Sequence, residues 1–119
     1  MVEAQNPKRY DLEKRTLSFA KDIRTFIKKV PRTISLIEDC KQLVRSSGST
    51  GANYIEANES LSKKDFIMRI KICRKEAKES VYWLSLLDVP TELLNDRIAL
   101  TKEATELTMI FSAIMRKSL

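Results

Sequence analysis

Two series of basic residues recur at intervals of seven positions, and they have the clearest chemical potential in this sequence. Seven residues make about two turns of an α-helix, so each series would form one line of positive charge along a helix. Such lines can neutralise phosphates and release counterions, which predicts binding to RNA or DNA through the backbone. The predicted nucleic-acid-binding residues are Lys14, Lys21 and Lys28 of the first series with Arg24 beside them, and Lys64, Lys71 and Lys78 of the second with Arg74 beside them.

The charge distribution supports nucleic-acid binding, but it also fits helix faces that are simply solvated. The net charge is +6, and residues 1–32 carry nine basic and four acidic side chains, whereas residues 62–89 carry seven and four. Acidic residues are interspersed among the lysines, as they are on ordinary solvated helix faces. No series of aromatic residues that could stack on bases accompanies the lysines. We therefore expect any binding to show little sequence preference.

Other residues that could do chemistry are few, because the sequence contains no histidine. Histidine is the commonest general base, and helical bundles that bind two metal ions use Glu-x-x-His pairs. Four polar residues could still meet between two helices. They could form a carboxylate metal or acid/base site, but we expect a structural network with Lys75 or Arg69 as countercharge. They are Asn53, Glu56, Glu76 and Glu79. The sequence thus predicts a protein without catalytic residues, metal or cofactor, and not an enzyme.

Two further features have structural interpretations. Ser49-Thr50-Gly51 resembles part of a phosphate-binding loop, but no lysine follows Gly51 and no predicted strand precedes it. Cys40 and Cys73 stand 33 positions apart in predicted helices, so we expect reduced thiols that pack as small core residues.

The elements that would position these residues are four helices in one domain. Apolar residues at three- and four-residue steps predict a first helix from an N-cap at Asp11 to the residue before Pro31. Thr33 would cap the second helix and Ser62 the third, and a fourth would run from about Thr91 to Arg116. An antiparallel, up-and-down four-helix bundle over residues 10–119 is the expected all-α fold, with residues 1–9 as a flexible extension.

The tract from Ser46 to Ala57 contains both glycines of the chain and could be a loop. Apolar spacing nevertheless continues through it, because Val44, Gly51 and Tyr54 share one helical face. We therefore predict an uninterrupted second helix whose small residues allow a neighbouring helix to approach closely.

The fourth helix is apolar over more than one face. A helix needs only one apolar face to pack into the core of a single bundle. The surplus predicts a homo-oligomer. The expected subunit-interface residues are Trp83, Leu93, Leu100, Leu107 and Ile114. No signal sequence and no run of about 18 apolar residues is present, which predicts a cytoplasmic protein that does not associate with membranes.

An ordered set of motifs from Tyr10 to Arg116 resembles a bacterial family, the four-helix proteins encoded by intervening sequences of 23S rRNA genes. The superfamily also includes the accessory variability protein of diversity-generating retroelements. The motifs are Tyr10-Asp11-Leu12, Phe19-Ala20, Pro31, STGANYIEA (residues 49–57), SKKDFI (residues 62–67), KEAKES (residues 75–80) and Tyr82-Trp83-Leu84.

The resemblance implies a homopentameric bundle with residues 49–57 inside a long second helix. It also implies that Gly51, Asn53, Glu56, Glu76 and Glu79 are structural signature positions. The retroelement relatives resemble basic adaptors that associate with a reverse transcriptase and nucleic acid. Our first hypothesis is therefore a pentameric adaptor that binds RNA or DNA non-specifically. The alternative is a scaffold whose ring holds a protein partner without physiological nucleic-acid binding.

Overall fold

Four long α-helices make up the fold. The structure, a computed structural model, describes the backbone of residues 7–119 and the side chains of residues 11–119. The helices are α1 (Pro7–Ile27), α2 (Ile34–Asn58), α3 (Lys63–Leu86) and α4 (Leu94–Ser118), and a 3-10 turn (Thr91–Leu93) leads into α4. No strand occurs in the described chain. The predicted all-α class is therefore confirmed.

The caps of α2 and α3 are the predicted residues. Thr33 Oγ1 accepts a hydrogen bond from the backbone N–H of Leu36 at 3.3 Å, and Ser62 Oγ accepts one from Asp65 at 3.1 Å. Each hydroxyl satisfies a backbone donor that has no partner within the helix, which fixes the start of that helix.

The predicted limits of α1 are wrong at both ends. The helix begins at Pro7, so Asp11 lies inside it and is not its N-cap. Proline suits the first helical position because its missing N–H would have no partner there. The helix ends at Ile27, and Val30 N donates to Ile27 O in the turn that follows. The expected extension thus overlaps α1 at residues 7–9, and its residues 1–6 lie outside the described part.

A single apolar core lies between the four helices. It draws fully buried side chains from each of them, namely Phe19, Ile23, Leu43, Ile70, Leu84, Leu107 and Phe111. The rings of Tyr54 and Phe111 lie 5.7 Å apart between centroids and connect α2 with α4 across the core. Each helix packs against the next along the chain and α1 also packs against α4, whereas α1 and α3 do not contact each other. Thus α1 and α3 occupy diagonal positions.

Contacts between neighbouring helices pair residues in opposite chain order. Between α2 and α3, Arg45 meets Glu79, and the later Asn53 meets the earlier Arg69. Between α1 and α4, Arg15 contacts Glu103, whereas Lys29 contacts Asp96.

The glycine-containing tract is helical throughout, as predicted. Neither Gly48 nor Gly51 has a positive φ, so neither is needed for an unusual backbone conformation. A Cβ atom at position 51 would lie 2.8 Å from Thr16 Oγ1 and 3.1 Å from Thr16 Cβ. Gly51 therefore permits the close approach of α1 to α2. At position 48 the nearest atom would be Arg24 Nη2 at 3.4 Å, which is an ordinary contact.

Buried hydroxyl groups fill the rest of this closely packed region. Ser46 Oγ and Ser80 Oγ lie 2.8 Å apart between α2 and α3, and Thr50 Oγ1 donates to Ser46 O at 2.9 Å. Every buried polar side-chain atom in the described part has a hydrogen-bond partner. These small side chains consequently pack helices closely without leaving polar atoms unsatisfied.

The prediction of the subunit-interface residues needs correction. Leu93 and Leu107 are buried in the core of the chain itself, so they cannot contact another subunit in this structure. Leu100 and Ile114 are half-buried against that core, as is Trp83 of α3. The exposed apolar stripe of α4 is instead Leu94, Ile98 and Met109, with exposed fractions of 37%, 55% and 64%. Both stripes have helical spacing, and the packing of α4 against its neighbours selects which one is buried.

Within the described residues, none of the helices has the length and apolar character needed to cross a membrane.

Candidate nucleic-acid interface

The first basic line follows α1. Lys14, Lys21, Arg24 and Lys28 are all exposed, and the backbone N–H of Lys28 still bonds to Arg24 O although Lys28 lies just after the helix. At 1.5 Å per residue, Lys14 and Lys28 are about 21 Å apart along the axis. Lys21 and Arg24 also border a groove of about 320 Å³ between α1 and α2. The structure thus places the first predicted set on α1 and on the turn that follows it.

The second basic line follows α3. Lys64, Lys71 and Lys78 are exposed, and Arg74 is half-buried. Since α1 and α3 are diagonal, the two lines belong to separate surfaces of the bundle. One chain therefore cannot combine them into a single continuous face.

Nearby carboxylates are held by other basic residues. Arg15 Nε and Nη2 donate to the two carboxylate oxygens of Glu103 at 2.8 Å, and Nη2 also donates to Glu106 at 2.8 Å. On the other side, Arg45 donates to Glu76 at 3.1 Å and to Glu79 at 2.7 Å. These charge-assisted bonds connect α1 with α4 and α2 with α3.

Five of the six predicted lysines, in contrast, are not held in ion pairs. Lys21 and Lys28 of the first line make no ion pair with another described residue, and the same is true of Lys64, Lys71 and Lys78. The interhelical arginines neutralise acidic groups that could otherwise weaken the field of the lysines. The site therefore has solvated positive charges, and several carboxylates of the scaffold lie in ion pairs with other basic residues, although Asp22 and Asp65 beside the two lines are exposed.

The four residues expected to cluster do not form one site. Arg69 Nη1 donates to Asn53 Oδ1 at 2.9 Å, so Arg69 contacts a neutral member of the set. Glu76 and Glu79 bond instead to Arg45, and Glu56 is exposed near Arg69. No group of three potential metal ligands occurs among the described residues. The arrangement is that of an interhelical network.

Sequence reasoning missed Arg45 as the partner of Glu76 and Glu79. A usable indication was present, because Arg45 and Glu76 lie about equally far from the connection between α2 and α3. Residues equally distant from a short turn meet when two helices fold back on each other. The acidic partners of Arg15 could not be found in this way, because α1 and α4 are not consecutive.

Neither cysteine is suited to nucleophilic chemistry. Burial raises the pKa of the Cys73 thiol to about 12, and burial together with the charge of Asp39 raises the pKa of Cys40. Both side chains are buried and reduced. Thiols with raised pKa values stay protonated near neutral pH and are poor nucleophiles.

Comparison with known proteins agrees with the motif resemblance. The sequence profile of the 23S rRNA-intervening sequence protein family matches residues 8–113. A solved structure from Bacteroides thetaiotaomicron, described as a protein of unknown function from the S23 ribosomal protein family, is similar with a TM-score of 0.79. It is 30% identical, and the match covers 92% of this chain and 98% of that one. No curated protein matches the chain significantly. The chain, with its four helices and its ordered motifs, therefore belongs to the 23S rRNA-intervening sequence protein family.

Proposed function

We propose that this protein is a cytoplasmic adaptor that binds RNA or DNA through the phosphate backbone with little sequence preference. The observation that carries the proposal is the contrast between acidic and basic groups at the surface. Glu79 and Glu103 are bonded to arginines, whereas Lys21, Lys28, Lys64, Lys71 and Lys78 extend into solvent. Solvated ammonium groups in a line are what a polyanion can contact without breaking existing ion pairs.

The size of the effect follows from the number of charges. If three lysines of one line each neutralise a phosphate of duplex DNA, they contribute about 3 to the slope of log Kd against log salt concentration. Binding through either line should therefore weaken steeply as salt is added. Because the lines lie on diagonal helices, each should contribute separately.

Fluorescence anisotropy with labelled duplex DNA and RNA tests this proposal. One variant changes Lys14, Lys21 and Lys28 to glutamine, and a second changes Lys64, Lys71 and Lys78. The matched control changes three exposed lysines outside both lines, namely Lys41, Lys102 and Lys117. We expect each line variant to bind more weakly and with a smaller salt slope than the control. Equal affinities for all three variants would refute the assignment of the lines.

A binding role, not a catalytic one, also fits the remaining polar groups. The buried hydroxyls are engaged within the bundle, and the cysteine thiols are protonated near neutral pH. These observations support a non-enzymatic protein. Stoichiometric metal in the purified protein would argue against it.

We further propose an antiparallel bundle that assembles as a homopentamer. The opposite chain order of the contacting residue pairs supports the antiparallel arrangement, as do the short connections between consecutive helices. The exposed stripe Leu94, Ile98 and Met109 supports self-association, because an exposed apolar stripe gains stability when covered. The same stripe favours the alternative function, in which it holds a protein partner.

Light scattering coupled to size-exclusion chromatography tests the assembly. A homopentamer has five times the chain mass of 13.7 kDa. The double change Ile98→Lys and Met109→Lys should dissociate it. The control Leu61→Lys changes a leucine that is 100% exposed in the connection between α2 and α3, and it should leave the mass unchanged. A stripe variant with unchanged mass would place the subunit contact elsewhere. A wild type that retains one host protein stoichiometrically after nuclease treatment would favour the scaffold.

A further inference from the structure

A second groove lies at the end of the bundle where α1 leads into α2, away from most of the basic residues considered above. Its volume is about 450 Å³, which is within the range of small-molecule sites. The surface inside it is apolar, and the six residues that form this floor are Ile27, Val30, Leu36, Ile37, Cys40 and Val44.

The rim of this groove is strongly basic. Lys28, Arg32 and Lys41 line it and are exposed, and no acidic side chain of the described part lines it. Of the acidic groups nearby on α2, Glu38 lies 3.4 Å from Lys41, and Asp39 acts electrostatically on Cys40. Lys28 and Arg32 have no ion pair with a described residue. The groove thus combines an apolar interior with a rim of excess positive charge.

Pro7 and Ser118 both lie away from the groove. Pro7 lies at the opposite end of α1, about 30 Å along the helix from Ile27. The ion pair between Lys29 and Asp96 places the start of α4 near the groove, so the last residue of α4, Ser118, lies at the far end.

We propose that this groove binds a medium-chain aliphatic carboxylate, with the chain on the apolar floor and the carboxylate between the basic residues of the rim. An extended peptide is a poorer occupant, because the floor offers no polar side chain to the backbone N–H and C=O groups that it would bury. An aliphatic chain has no such groups. The rim selects an anion over a cation or a neutral alcohol, since Arg32 and Lys41 can donate charge-assisted hydrogen bonds.

Two properties of binding follow from this geometry. Each methylene that enters the groove should tighten binding about fourfold until the groove is filled. Loss of the two rim charges Arg32 and Lys41 should weaken binding of the carboxylate by about tenfold or more, because each contributes a charge-assisted contact. These two residues lie outside the two lysine lines. An experiment can therefore refute carboxylate binding without refuting nucleic-acid binding, and nucleic-acid binding without refuting carboxylate binding.

Isothermal titration calorimetry with hexanoate, octanoate and decanoate below their micelle concentrations tests the proposal on the full chain. The cation decyltrimethylammonium has the opposite charge and an apolar chain one methylene longer than that of decanoate, so its chain favours binding slightly more. The variants are Arg32→Gln with Lys41→Gln, which changes only exposed residues, and Val44→Trp, which fills the groove. The control is Lys102→Gln with Lys117→Gln, which removes the same charge elsewhere. Two-dimensional NMR of labelled protein reports whether the perturbed amides lie at residues 27–44.

We expect saturable decanoate binding that tightens along the series and is unchanged in the control. It should weaken at least tenfold in the rim variant and disappear in the folded Val44→Trp variant. The proposal is overturned if decanoate does not bind up to about 1 mM. It is equally overturned if decyltrimethylammonium binds as tightly, or if the rim variant binds as the wild type does. If Val44→Trp does not fold, the rim variant and the NMR shifts decide the outcome alone.

Discussion

The contact between Gly51 and Thr16 gives the sharpest prediction about packing. The change Gly51→Ala places a Cβ atom 2.8 Å from Thr16 Oγ1 and 3.1 Å from Thr16 Cβ. Thr16 is buried, and its hydroxyl donates to Leu12 O and Glu13 O at 3.0 Å. Rotation about χ1 cannot remove the clash at Cβ, and it would disturb these hydrogen bonds. Thus α1 itself must move.

The magnitude follows from two opposing effects. Alanine in mid-helix stabilises relative to glycine by about 0.5–1 kcal/mol. Overpacking of a closely packed contact costs about 1–3 kcal/mol. Gly48→Ala shares the first effect and lacks the second, because its Cβ would meet only the flexible end of Arg24 at 3.4 Å. We therefore expect Gly51→Ala to be less stable than Gly48→Ala by about 1–3 kcal/mol, and Gly48→Ala to be more stable than the wild type.

Urea unfolding followed by circular dichroism at one fixed protein concentration measures both variants. The double variant Thr16→Ala with Gly51→Ala removes Oγ1 but keeps Cβ, so it should show a favourable coupling energy between the two sites. If Gly51→Ala is as stable as Gly48→Ala, the close approach of α1 to α2 does not depend on this glycine, and the reasoning fails.

Two further predictions concern buried polar groups. Arg45→Met leaves the buried carboxylate of Glu76 without its partner and should lower the free energy of unfolding by about 1–2 kcal/mol. The loss is limited to this size because Arg45 is itself half-exposed, which weakens the ion pair. Lys29→Met removes an exposed ion pair and should lower the free energy of unfolding by less than about 1 kcal/mol. Equal losses for Arg45→Met and Lys29→Met in urea unfolding would contradict this ranking. The pKa of the Cys73 thiol is raised by burial from 9.0 to about 12, so its protonated form stabilises the fold below pH 9 and this contribution is lost as pH rises towards 12. The stability of Cys73→Ala should therefore fall less than that of the wild type between pH 9 and pH 12, and parallel curves in a pH series of urea midpoints would refute this.

The features that were predictable from the sequence depend on local interactions. Thr33 and Ser62 cap helices through contacts three residues away, so their types and positions were enough. The continuity of α2 through Gly51 was also predictable, because apolar spacing is a property of the helix itself. The role of Gly51 in a close approach was expected, although its partner Thr16 was not.

The features that were missed depend on how helices pack. Both apolar stripes of α4 have helical spacing, and only contact with the rest of the bundle decides that Leu107 is buried while Ile98 is exposed. The pairing of Arg15 with Glu103 and Glu106 requires α1 and α4 to be neighbours, which no local pattern indicates. Pro7 fell in the predicted extension because Asp11 was the expected N-cap of α1, although proline at the first helical position suits the start of a helix.

The central claim is that the two lysine lines bind the nucleic-acid backbone. The most direct test measures Kd for duplex DNA over a range of salt concentrations, for the wild type and for a variant with glutamine at Lys14, Lys21, Lys28, Lys64, Lys71 and Lys78. If each lost contact removes about 0.9 from the slope of log Kd against log salt, the variant should lose about 3 when one line binds at a time, and more when both do. A variant that keeps the affinity and the salt slope of the wild type would contradict the claim.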